Sequence, residues 1–374
     1  MRTLAVAALV LVTIGSRGNA QGSLSTQGLG YPTGQMSARA EGTGGAVADF
    51  DALSLVSPAS IAGVGASALF FQYSPEFRRV TAGSATANTT TARFPLVVGI
   101  LPLGQTWTLG ISSSTFFDRS SETSLMRREL VGADSVNETE LTKTLGAIND
   151  VRVALAWAGT PKVHLGGGLH VFSGSNRITL SQLFPDSTKY LSASQTGSLS
   201  FTGFAASGGI EFHPSRVIGF AIAGRKGGDL TATRSDTTIG RARLPDHYSA
   251  SVSYDGITGA NISARVAHDN WSSLSSIGTN VLGFDSWDYS VGAEATGPRI
   301  MQRLIVLRAG ARVRTLPFGF NGQKVSETSF MGGLGVPLAR DRAAFDFSVQ
   351  HASRSASGVS ERGLILSFGL RVSP

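Results

Sequence analysis

The sequence contains no cysteine, which excludes disulfides, thiolate metal sites and a cysteine nucleophile. Charged side chains are scarce at 15%, against about 25% in a soluble domain, so much of the surface meets something other than water. Long apolar runs are also missing. The stretch from Leu4 to Ile14 is shorter than the roughly 20 residues a membrane helix needs, and nothing later is longer. A helical membrane protein is therefore excluded. No basic run exceeds Arg-Arg or Arg-Lys, although the formal net charge is +7. A nucleic-acid partner, which needs clustered positive charge, is excluded as well.

What the chain has instead is glycine, 46 residues of it, and alternation. The beginning reads as a signal peptide over residues 1–20: Arg2, the apolar Leu4 to Ile14, then Gly18-Asn19-Ala20 before a cleavage point. Residues 21–64 are small, Gly- and Ala-rich and without sustained period. From about residue 65 the pattern turns to period two, the mark of strands. In 258–270, Ala260, Ile262, Ala264 and Val266 oppose Asn261, Ser263 and Arg265. In 361–372, Leu364, Leu366, Phe368, Leu370 and Val372 oppose Ser367, Gly369 and Arg371.

Counted this way, residues 65–374 hold about fourteen strands of about ten residues, the length of a tilted membrane-crossing strand. Short links such as Pro102-Leu103-Gly104 and His213-Pro214-Ser215 alternate with longer polar ones at 74–92, 117–146, 174–197, 226–242 and 271–285. That parity is expected of an outer-membrane barrel with short periplasmic turns and longer outer loops. Trp107, Trp157 and Tyr254 fall beside short links, Trp271 and Trp287 beside long ones, as two aromatic girdles would. The expected fold is all-β: a transmembrane antiparallel barrel of about 14 strands with both termini on the periplasmic side.

Enzyme chemistry is not apparent. His164 and His170 share a strand face but stand six residues apart, about 20 Å, too far to share a metal. HExxH and Gly-x-Ser-x-Gly motifs are absent. Gly166-Gly167-Gly168 lacks the helix of a phosphate loop and reads as a strand that lets another chain come close. Neither a catalytic role, nor a metal, nor a cofactor is expected. The alternation turns Arg152, Arg265, Arg308, Arg312 and Arg314, with Glu294 and Asp346, toward the lumen. They suit two compatible roles, a charge network joining barrel to interior segment or a site for an anionic headgroup.

The N-terminal region carries a family resemblance. Gly42-Thr43-Gly44-Gly45-Ala46-Val47-Ala48-Asp49, followed by Leu55-Val56-Ser57-Pro58-Ala59-Ser60-Ile61-Ala62, resembles the start of FadL-type outer-membrane transporters of long-chain fatty acids and other hydrophobic compounds. That family shows a Gly-Gly-Ala stretch and then Asn-Pro-Ala before its first strand. Here Gly44, Gly45 and Ala46 match, as do Pro58 and Ala59, with Ser57 in place of Asn. The resemblance implies that residues 21–64 form a plug, or hatch, and that ligand leaves sideways through a kinked strand wall. Gly110 and Ser112-Ser113-Ser114 are the candidate kink. The implied function is passive uptake of a hydrophobic small molecule in the bacterial outer membrane. The partners are outer-membrane lipid and, during biogenesis, the barrel-assembly machinery. PorV-like secretion-accessory barrels share a similar start, and a general porin is the third reading. The final strand departs from habit, with Phe368 as its last aromatic and Ser373-Pro374 at the end.

Overall fold

The computed structural model describes residues 30–131, 134–186, 188–277, 283–300, 303–320, 322–339 and 342–373. The expected signal peptide and residues 21–29 of the expected plug lie outside these. The strands in chain order are β1 (Tyr31–Pro32), β2 (Ala68–Ala82), β3 (Ala85–Leu103), β4 (Trp107–Asp118), β5 (Ser121–Val131), β6 (Asp134–Thr160), β7 (Val163–Leu183), β8 (Ala193–Phe212) and β9 (Ile218–Arg234). They continue as β10 (Thr237–Arg243), β11 (His247–Ile257), β12 (Ala260–Asp269), β13 (Ser286–Ile300), β14 (Arg303–Phe320), β15 (Gln323–Leu338), β16 (Ala343–Ala356) and β17 (Val359–Val372).

Fourteen of them close an antiparallel barrel, with β17 paired against β2 from Val372–Leu69 to Val359–Ala82. The remaining three are β1, inside the barrel, and β5 and β10, which extend hairpins with β6 and β9 beyond the wall. The period-two pattern sorts the side chains as expected. Ile262, Val291, Leu307, Val313 and Phe220 are exposed on the outside, while Ser263, Arg265, Arg312 and Arg314 are buried inside. An exposed apolar band is unfavourable in water and favourable in lipid, and a closed ladder leaves few backbone groups unpaired in hydrocarbon. Among the described residues no helix is long and apolar enough to cross a membrane.

The long polar links are a correction. The expected loop 74–92 is strand: β2 runs on to Ala82, turns over Gly83 with φ 59° and returns as β3. Most of 117–146, 174–197 and 226–242 is likewise paired strand. Beyond the lipid both strand faces meet water, so the apolar alternation that betrays a strand disappears. Thr86, Thr89, Thr90 and Thr91 still favour extended backbone. Residues 271–277, by contrast, form a short 3-10 turn. Trp271 is therefore no girdle residue. It is buried, and its indole N–H donates to Ser286 Oγ at 3.0 Å, whereas Trp107 and Trp287 are exposed as a girdle requires.

Residues 30–64 run inside the barrel. Small side chains let the backbone lie close to the wall: Ala38, Ala40, Ala46, Ala48 and Ala59 are wholly buried. One turn of helix, α1 (Ala38–Gly42), is capped by Ser37, whose Oγ accepts from the Ala40 N–H at 3.1 Å. The carboxylate of Asp51 accepts from both Ser37 Oγ and Ser54 Oγ, at 2.5 and 2.7 Å, which fastens the segment to itself.

Candidate functional site

The two motifs of the N-terminal segment rest on two pairs of wall glycines. After α1 the chain turns sharply at Gly44 and Gly45, with φ of 72° and 90°, a region that side chains disfavour. Thr43 then meets Gly292 and Gly310, which are ladder partners on β13 and β14. A Cβ on Gly292 would lie 2.2 Å from Thr43 O, and one on Gly310 2.2 Å from Thr43 C. Ala46, the last residue of this motif, is buried directly behind the turn.

The second motif docks the same way. Gly166 on β7 and Gly209 on β8 are ladder partners. A Cβ on Gly166 would meet Ala59 N at 2.4 Å and Pro58 C at 2.4 Å, and one on Gly209 would meet Ser57 Oγ at 2.5 Å. The close approach expected at the Gly166–Gly168 run is thus made by Pro58 and Ala59. Ser57 Oγ accepts from the Ala59 N–H at 3.3 Å. This is the local turn bond that Asn and Ser side chains both make, so Ser serves where the FadL-type pattern has Asn.

Charges fill the space between segment and wall. The Tyr31 ring has four guanidinium carbons around it: Arg354 at 4.8 Å, Arg93 at 5.0 Å, Arg314 at 5.3 Å and Arg78 at 5.7 Å from its centroid. Each such contact contributes up to about 2 kcal/mol when desolvated. Carboxylates hold the cations in place. Arg354 donates to Glu327 at 2.6 Å and to Glu76 at 2.9 Å, Arg314 to Glu327 at 2.6 Å, and Arg93 to Asp118 at 2.6 Å. The Tyr31 hydroxyl accepts from Arg354 at 2.9 Å and donates to Glu327 at 3.2 Å.

The lumenal charges read from the sequence all face inward, but they do not form one site. Arg265 donates to Asp49 of the N-terminal segment at 3.0 Å, and Arg312 to Asp288 at 2.9 Å. Arg308 joins Glu294 at 2.7 Å and Asp346 at 2.6 Å, while Arg39 of the segment takes the other side of Glu294 at 2.6 Å. Arg152 donates to the Leu55 carbonyl at 3.1 Å. Arg265, Arg312 and Arg314 border one cavity, and Glu294 and Arg308 border a wide vestibule at the barrel's other end. The prevailing arrangement is charge joining segment to wall.

The first cavity lies between the N-terminal segment and the wall. Its roof is aromatic. Phe116 packs against Trp271 at 5.4 Å and Phe172 at 4.9 Å, and Phe117 against Trp271 at 4.8 Å. Adjacent Phe116 and Phe117 both point inward because β4 is bulged between Thr115 and Phe117. The cavity's free cation is Arg225, which bonds to Gln35 Oε1 at 3.1 Å, lies 4.9 Å from the Phe116 ring and makes no ion pair with a carboxylate among the described residues. Facing it, His170 bonds Asp150 at 2.9 Å and Ser207 Oγ at 2.8 Å. Asp150 is also bound by Gln35 of the segment at 2.9 Å, so this chain of bonds positions Gln35. Sequence reading missed Arg225, although the alternation Gly219, Ala221, Ala223, Arg225 carries it inward.

The wall itself is interrupted beside the second cavity. The β3–β4 ladder runs from Leu103–Trp107 to Leu96–Ser114 and stops. Pro95 has no N–H to donate, and the β2–β3 register shifts between Gln72 and Ser74. Tyr31 and Pro32 occupy the vacated edge, paired with Asp118 and Phe117, and Thr33 Oγ1 donates to Thr115 O. The break therefore begins directly after Gly110 and Ser112–Ser114, which still pair regularly with β3. Behind the break lies a second, small cavity bordered by Tyr31, Thr33, Arg93 and Pro95. It shares Met36, Arg312 and Arg314 with the first cavity, so the two adjoin.

No protein-family model and no curated protein matches this chain. Solved structures do. A Pseudomonas aeruginosa FadL homologue aligns at 11% identity and TM-score 0.62, covering 92% of this chain and 99% of that one. The Ralstonia pickettii toluene transporter TbuX aligns at 13% and 0.58, covering 91% and 99%. The CymD monoaromatic hydrocarbon channel aligns at 14% and 0.57, covering 91% and 97%. Likeness at such low identity is likeness of fold, and the fold of this chain is that of the FadL-type barrels.

Proposed function

We propose that this chain is a bacterial outer-membrane channel for the passive uptake of small hydrophobic molecules, long-chain fatty acids among them. Residues 1–20 are the export signal, 21–64 the plug and 65–374 the barrel. The observation that carries this reading is the ladder that stops at Leu96–Ser114 with plug residues 31–33 in its place. A hydrophobic solute gains nothing by crossing to water on the far side, and about 25 cal/mol per Å² of its apolar surface favours lipid. A side door suits it better than an axial pore.

The solute meets the aromatic roof of Phe116, Phe172 and Trp271, occupies the first cavity and passes Met36 into the second. Withdrawal of residues 31–33 then frees the break in the wall. Arg225, which makes no ion pair with a carboxylate among the described residues, is placed to hold an acid headgroup. The names of the similar structures, toluene and monoaromatic hydrocarbon channels among them, support apolar cargo in general. A water-filled porin is disfavoured by the packed plug. The test is uptake of radiolabelled oleate and radiolabelled toluene by cells with and without the gene. Faster uptake of either supports the proposal, and no difference for both removes it while leaving the fold intact.

A further inference from the structure

Away from both cavities, three side chains of metal-ligand type converge at the end of the barrel that carries the short turns. His164 on β7 is the ladder partner of Glu211 on β8, and His213 follows two residues later. His164 Nδ1 lies 3.3 Å from Glu211 Oε2, and His213 Nε2 lies 3.7 Å from the same oxygen. All three ligand atoms fall within 4.8 Å of one another. Strand geometry accounts for the meeting, since residues i and i+2 share a face and a cross-strand partner stands about 5 Å away.

Glu211 supplies an independent sign. The residue is only 5% exposed, and its second oxygen, Oε1, is buried without a hydrogen-bond partner among the described residues. Its ion-pair neighbours there are the two imidazoles alone, not arginine or lysine. A buried carboxylate demands a compensating positive charge, which a bound cation supplies.

We propose that His164, Glu211 and His213 bind a divalent transition-metal ion of the zinc type. Two imidazoles and one carboxylate suit zinc, with bonds of about 2.0–2.2 Å and a further position left for water. Calcium and magnesium take oxygen ligands and do not suit this set. Ligand atoms around such an ion stand about 3.3 Å apart, the spacing His164 and Glu211 already have. His213 lies just beyond the end of β8 and its side chain is 34% exposed, so it has room to swing in. The ion ties β7 to β8 next to Gly166 and Gly209, the pair on which Ser57-Pro58-Ala59 rests. Its role is to stiffen that seat.

The test is titration of the purified full-length protein in detergent with Zn²⁺, followed calorimetrically, with Co²⁺ absorption as a second readout. One ion per chain is expected, with the absorption of tetrahedral cobalt. Affinity should fall about tenfold or more in each of His164→Ala, Glu211→Gln and His213→Ala, and stay unchanged in His351→Ala. Unboiled gel migration verifies that each variant forms its barrel. No binding by the wild type, or binding that survives all three substitutions in folded barrels, overturns the proposal.

Discussion

Pro32 stands opposite Phe117 in the ladder, at the place β3 abandons when its pairing with β4 ends. If this contact closes the side door, tying it shut stops transport. Facing residues of an antiparallel pair have Cα atoms about 4.5–5.5 Å apart, within disulfide range, and the chain has no cysteine to interfere. Pro32→Cys with Phe117→Cys should abolish uptake when oxidised and restore it under reductant, each single variant serving as control. Equal uptake in both redox states would show that the door is elsewhere.

The glycine seats make a second prediction. Gly166→Val and Gly310→Val place carbon within 2.4 Å of the backbone of Pro58 and Ala59 and within 2.2 Å of that of Thr43. Overpacking of this kind costs about 1–3 kcal/mol. It should appear as faster proteolysis at Arg39 and larger conductance in planar bilayers, with barrel formation on gels unchanged. Wild-type protease resistance would mean that the N-terminal segment is held by its charges alone.

The cluster around Tyr31 ranks two substitutions. Arg354→Met removes a cation bonded to Glu327 and Glu76, and stripping one partner from a buried ion pair costs about 3–5 kcal/mol. Tyr31→Phe keeps the ring beneath its four guanidinium groups and loses only the hydroxyl bonds, about 1–3 kcal/mol. Urea unfolding in detergent should place Arg354→Met well below Tyr31→Phe. The reverse order would assign the stability to the hydroxyl.

Arg225 separates two classes of cargo. Arg225→Met keeps apolar bulk beside Phe116 but removes the charge. Oleate uptake should fall about tenfold, the loss of one charge-assisted bond, and toluene uptake should hold. A parallel fall in both would make Arg225 a packing residue.

Much of the fold is legible in the amino-acid order because lipid imposes a simple rule. Each strand within the apolar band has to alternate, so the order of residues alone assigns Ile262 and Arg265 to opposite faces of the wall. Where lipid ends the rule ends, and the outer halves of β2, β3 and β6 read as loops. The two N-terminal motifs mark the seats of the segment, since each needs a backbone slim enough to touch glycine. Partnerships stay hidden. Arg265 and Asp49 are 216 residues apart, united only by the seating of the segment inside the wall, and His164 and Glu211 are 47 apart, united only by the barrel's register. The lapse of alternation at Ser112–Ser114 points close to the break in the wall, which begins just after it; Pro95 and the Phe116 bulge complete it, because two neighbouring strands have to fail together.

The seam between β17 and β2 closes the wall around residues 30–64, which immediately precede β2 and lie inside. Glu361 and Arg354 near that seam belong to the same cluster as Tyr31. Closure of the wall and seating of the segment thus share one set of charges: Arg354, beside the last seam, is bonded both to Glu361 of the final strand and to Tyr31 of the segment.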